Sequence, residues 1–168
     1  MSNSVIAIIR AIHIGFGAFW IGGALTAGFF LLPAIKAGAS HGRQLAAQIL
    51  ASTRVLAAIT VSGVIAILAG GILYRGIWAG GGFYGPAVWY AMGSHFAIVA
   101  LILTGAVVLP AMHKLRKLTG AEASHESPAV AAQNFHRERL IKRITVFTQI
   151  SAALLIPTVV FMAIGRYV

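Results

Sequence analysis

His13 stands inside an apolar run, with Arg10 three residues before it and Trp20 seven after it. An imidazole and a guanidinium at that depth in a hydrocarbon-like segment are costly without partners, so the pair points to a bound group. A second buried-type histidine, His95, lies nine residues after Pro86, as His13 lies nine after Ser4. If the two segments run in the same direction, a rise of about 1.5 Å per residue sets both imidazoles at similar depth. Two neutral imidazoles facing across a bundle supply both axial ligands of a haem b iron.

The neighbours of His13 suit that chemistry. Gly17 is one turn on, and its missing side chain lets a flat macrocycle approach the backbone. Trp20 returns to the same face and can wall the pocket. Arg10 lies one turn outward, where a guanidinium would meet haem propionates bidentately. Arg75, at the outer end of the second apolar run, is a further candidate for them. His113 follows His95 by eighteen residues, placing it on the same helix face about 27 Å along the axis. It could serve a second haem, with His41 or His136 as partner, while "MHKLRK" equally reads as an ordinary basic helix end. A copper site would draw on the same positions, adding Met92 one turn before His95. His41, His125 and His136 otherwise read as surface histidines. A metal-free bundle would instead use His13 to hydrogen-bond between helices.

These residues need long helices to position them. The chain of 168 residues is 59% hydrophobic and 10% charged, with a mean hydropathy of +0.89. A soluble domain has about a quarter of its residues charged. Apolar runs at roughly 5–32, 53–75, 87–112 and 140–165 each approach the roughly 20 residues that cross a bilayer. The expected fold is all-α, a single integral membrane domain over 1–168 forming an up-down-up-down four-helix bundle in the lipid bilayer. The first run is too long for a signal peptide and lacks a basic segment before it, so it reads as a true span.

The net charge of +10 has a topological reading. Lys36, Arg43 and Arg54 follow the first run. Lys114, Arg116, Lys117, Arg137, Arg139, Lys142 and Arg143 separate the third from the fourth. Only Arg10, Arg75 and Arg166 fall on the opposite side. The positive-inside rule then sets both basic loops in the cytoplasm and both termini in the periplasm of a bacterial inner membrane. Attraction to anionic lipid head groups accounts for the charge without nucleic acid.

Local signals fill in the rest. Pro33 is expected to end or kink the first helix, and Pro157 to kink the fourth. "HGRQLAAQILASTR" looks like an amphipathic start to the second helix. Pro86 suits the first turn of the third helix, and Ser127-Pro128 suits the start of the fourth. Trp78, Phe83, Tyr84, Trp89 and Tyr90 read as an interfacial aromatic belt. "FLLPAIKAG" and "VVLPAMHKL", at the ends of the first and third runs, form a weak internal repeat. Gly15, Ala18, Gly22 and Gly28 make a ridge suited to tight helix contacts, within the bundle or against a larger complex.

Other chemistries are excluded by composition. The sequence has no cysteine and no aspartate, and its three glutamates (Glu122, Glu126 and Glu138) cluster in one loop region. That leaves no thiolate metal site and no carboxylate pair for hydrolysis. "AGGGFYG" lacks the lysine and following helix of a phosphate-binding loop.

The stretch "HIGFGAFWIGG" resembles the copper-resistance D superfamily, and with "WYAMGSHFAIVALIL" it is similar to the HemJ family of haem-binding protoporphyrinogen oxidases. The resemblance is specific over residues 10–23 and looser over 89–113. It implies a bacterial integral membrane protein in which His13 matches the first-helix histidine. The resulting expectation is a b-type cytochrome passing electrons, with a quinone or a redox protein as partner. The alternatives are copper handling, an oxidoreductase of the HemJ kind, and a homo-oligomer or accessory subunit of a membrane complex.

Overall fold

The computed structural model describes residues 1–37, 53–78, 85–121 and 129–167, and every regular element among them is helical. Helix α1 (Asn3–Leu25) passes through a π-helical turn, Thr26–Leu31, into α2 (Leu32–Ala37). Helix α3 covers Thr53–Trp78. Helix α4 (Pro86–Leu103) passes through a second π-helical turn, Thr104–Val108, into α5 (Leu109–Ala121). Helix α6 runs from Ala129 to Ile164.

Four stretches are long and apolar enough to cross a membrane: Asn3–Ala34, Val55–Gly76, Pro86–Leu115 and Glu138–Ile164. They are the first to fourth spans below, and they agree with the four apolar runs of the sequence. The 41–54 segment falls largely outside the described residues, as do Ser127 and Pro128.

The ends follow from local chemistry. Ser2 caps α1, its Oγ accepting from the Val5 amide at 3.4 Å. Gly85 precedes α4 with φ of 61°, a conformation that a side chain would strain, and Pro86 follows at the helix start as expected.

Pro33 does not end its helix. The chain stays helical through it, and the irregularity appears upstream as the Thr26–Leu31 turn. Pro110 does the same to the third span, behind Thr104–Val108. The cause is shared. A proline ring collides with the carbonyl four residues earlier, and those residues, Phe29 and Ala106, both lie inside the π-helical turns. The weak sequence repeat around "LPA" therefore marks the same backbone event twice. Pro157 lies within α6, which continues past it.

The first span packs most closely on the second and the third on the fourth, with thinner contacts between the pairs. Glycines make the close approaches. A Cβ on Gly63 would lie 2.7 Å from two atoms of the Trp20 indole, one on Gly70 2.8 Å from His13 Cε1, and one on Gly23 2.9 Å from Ile59. In the other pair, a Cβ on Gly93 would meet the Thr158 carbonyl at 3.1 Å and Met162 at 3.2 Å. One on Gly165 would meet Trp89 and Tyr90 at 3.2 Å. In both pairs, rising numbers on one span meet falling numbers on the other.

Two clusters form the core. Trp20, Ala24, Ile59, Ala66, Ala97, Ala100 and Leu155 make one, and Val108, Ala111, Met112, Leu140 and Ile144 the other. Alanine dominates the first, and such small side chains let helix backbones draw together. Large apolar residues such as Phe19, Phe30, Leu68 and Ile102 are exposed instead.

Candidate functional site

His13 is half-buried in the seam between the first and second spans. Its Nδ1 lies 2.7 Å from the Ala66 carbonyl oxygen of the second span. A carbonyl can only accept, so the neutral ring carries its proton on Nδ1 and its lone pair on Nε2. Gly70 lets this happen, since any side chain there would strike the ring. The second span thus fixes both the position and the tautomer of the imidazole.

Trp20 lies two turns deeper on the same side of α1, buried at 3% exposure with its indole against Gly63. The spacing of seven between His13 and Trp20 equals that between Gly70 and Gly63. Two rings on one helix therefore meet two glycines on its neighbour. Gly17, between the rings, faces Ala66, where an added Cβ would meet the Ala66 methyl at 3.9 Å, an ordinary contact.

His95 is exposed on α4. Its Nδ1 lies 2.6 Å from the Ala91 carbonyl oxygen of its own helix, so its Nε2 also holds the lone pair. The first and third spans make little contact with each other. The structure therefore brings His13 together with the second span and leaves His95 on an open face, beside exposed Met92.

Arg10 is exposed one turn before His13 and forms no ion pair among the described residues. Arg75 is also exposed. The adjacent Gly76 lies against Met1, where a Cβ would come within 2.9 Å of Sδ, so both arginines belong to one end of the first two spans. His113 and His136 are exposed, and His41 and His125 lie outside the described residues. No cluster of three or more His, Cys, Asp or Glu is found among the described residues.

Within the bundle the small-residue ridge packs only in part. Gly15 and Gly22 meet nothing within 4 Å, because the first span turns that side outward. Gly28 does pack, with a Cβ there 3.1 Å from the Ala152 methyl. Of the expected aromatic belt, Trp89 and Tyr90 are half-buried against Gly165, and Phe83 and Tyr84 lie outside the described residues.

Sequence reasoning overlooked the interior hydroxyls. Ser62, Thr148, Ser151 and Thr158 are all buried on the second and fourth spans. The i, i+3 pair Thr148 and Ser151 in an apolar helix was the available signal. Comparison with family models, with curated proteins and with solved structures finds no match for this chain.

Proposed function

We propose that this protein is a b-type haem-binding electron-transfer protein of a bacterial inner membrane, with His13 and His95 as the iron ligands. The observation that carries the reading is the backbone anchoring of both imidazoles. Ligating histidines commonly donate their second ring N–H to a carbonyl, which fixes the ring and leaves the other nitrogen to the metal. Nδ1 of His13 and Nδ1 of His95 are both held this way. Arg10, exposed one turn from His13, is the cation for the propionates, with Arg75 at the same end.

The donor set fits a haem at His13 and Arg10; His95 faces outward on a span that touches the first only slightly, so its ligation of the same iron requires the first and third spans to turn toward each other when haem binds. Bound haem would supply one-electron transfer, and its donor or acceptor would be a membrane quinone or a redox protein. The protein's own share is to hold the imidazole tautomer and to set positive charge near the carboxylates.

The falling register of the glycine contacts supports an up-down-up-down bundle, and the loop charges support periplasmic termini. The resemblance over residues 10–23 adds weight to His13. One observation favours a second reading, a subunit of a homo-oligomer or larger complex. Only 6% of the first span's most apolar stretch is buried, against 33% for the second. Its exposed Gly15, Ala18 and Gly22 would seat another helix closely.

A pyridine haemochrome assay with His13→Ala and His95→Ala tests the haem site. Loss of low-spin haem in both variants is the expected result. Loss in His13→Ala alone would assign a site without His95, and a wild-type spectrum in both would sink the reading.

A further inference from the structure

Hydroxyls in apolar helices ordinarily donate to a carbonyl three or four residues back. Six among the described residues do so: Thr60 to Leu56, Ser62 to Ile59, Ser94 to Ala91, Thr104 to Ala100, Thr145 to Ile141 and Thr158 to Leu154. Thr148 Oγ1 and Ser151 Oγ are buried and have no partner. Their residues are 8% and 3% exposed. A buried, unsatisfied hydroxyl in a well-packed core calls for an explanation, and two adjacent ones call for a shared explanation.

Both residues line the same small void, of about 20 Å³, with Trp20 also in its lining. The two π-helical turns meet there as well: Ala27 comes from the first, and Thr104 and Val108 from the second. Such turns recur at functional positions in helices because they redirect side chains and carbonyls. Here two of them, from the first and third spans, line one void with the two unpaired hydroxyls of the fourth.

We infer that this void is a binding site for a single water molecule, held by Thr148, Ser151 and Thr104. Its size decides the number, because one water needs roughly 10–15 Å³ of such space and two would not fit. The chemistry decides the species. The void has no acidic residue in its lining, so a dehydrated cation would find no counter-charge. A water can accept from the Thr148 and Ser151 hydroxyls. It can also donate to Thr104 Oγ1, whose own proton is engaged at Ala100. Two or three partners are what a buried water requires. The water joins the fourth span to the π-helical turn of the third, across the centre of the bundle.

The test uses the full chain in detergent micelles with Thr148→Val, Ser151→Ala and the double variant. Removing one hydroxyl strands the water and its remaining partner, so each single variant should lower the melting temperature by a few degrees. The double variant should lose less than the sum, because both changes remove one site. An unchanged or raised melting temperature in both single variants would overturn the inference, since dry or back-bonded hydroxyls give that result. A second measurement needs no variant. Magnetisation transfer from water in the wild-type protein should reach the Thr148 methyl and the Ser151 amide with the sign of a long-lived bound water. Its absence at both would equally overturn the inference.

Discussion

The two helix pairs close their seams with different side chains. Between the first and second spans, an indole and an imidazole lie on Gly63 and Gly70. Between the third and fourth, Phe161 stacks on Phe96 at 5.7 Å and tilts against Trp89 at 5.8 Å, while Gly93 and Gly165 admit side-chain and backbone atoms. One seam thus carries a nitrogen lone pair in a fixed orientation, and the other is an apolar zipper. The contrast reverses at the void, where the second span presents Leu56 and Ile59 and the fourth presents Thr148 and Ser151. Equal spacing of three and opposite chemistry make one wall dry and the other polar. A ring held by glycines and a backbone carbonyl has its orientation fixed, which is what the proposed iron ligation needs. A ring held by other rings serves packing.

The largest effect should come from Gly63→Ala. The new methyl would sit 2.7 Å from the fused carbons of a buried indole, a rigid ring that cannot bend aside as a flexible chain can. Overpacking of this kind costs about 1–3 kcal/mol. Gly93→Ala meets a contact of 3.1 Å and a flexible methionine, so it should cost less. Thermal unfolding of both variants in the same detergent measures the difference, and a larger loss at Gly93 would reverse the comparison.

Gly70→Ala sharpens it. Its methyl would press on His13 Cε1 at 2.8 Å and push the ring off the Ala66 carbonyl. The lost hydrogen bond costs about 0.5–1.5 kcal/mol. Haem uptake should fall as well, although His13 itself is unchanged. Equal uptake in Gly70→Ala and wild type would show that the anchored tautomer does not matter.

The smallest effect should come from Gly71→Ala. This glycine neighbours Gly70 but meets nothing within 4 Å. Alanine there should leave haem uptake unchanged and raise stability by up to about 1 kcal/mol through helix propensity. A loss comparable to that at Gly70 would mean that the glycine-to-ring contacts are not the source of the effect.

Much of this was legible in the sequence. Apolar runs of membrane-spanning length set the four candidate spans within a few residues, because hydropathy integrates over a whole helix. Pro86 gave a helix start, because a missing N–H is tolerated only in the first turn. His13, Arg10 and Trp20 stood out by the cost of burying them. Their glycine partners did not, although Gly63 and Gly70 repeat the same spacing of seven on the next span.

Tertiary structure alone decided the rest. Depth can be counted along a chain, but the direction in which a side chain points depends on which neighbour each helix meets. His13 entered a seam and His95 an open face for that reason. The two prolines are accommodated by π-helical turns upstream rather than by helix ends, and the helix beyond Pro110 packs on the fourth span. Thr148 and Ser151 became a polar wall only where the two π-helical turns closed a void against them. Sequence fixes what each helix carries, and interhelical contact fixes what it faces, because the atoms that partner His13, Trp20 and Thr148 lie on other spans.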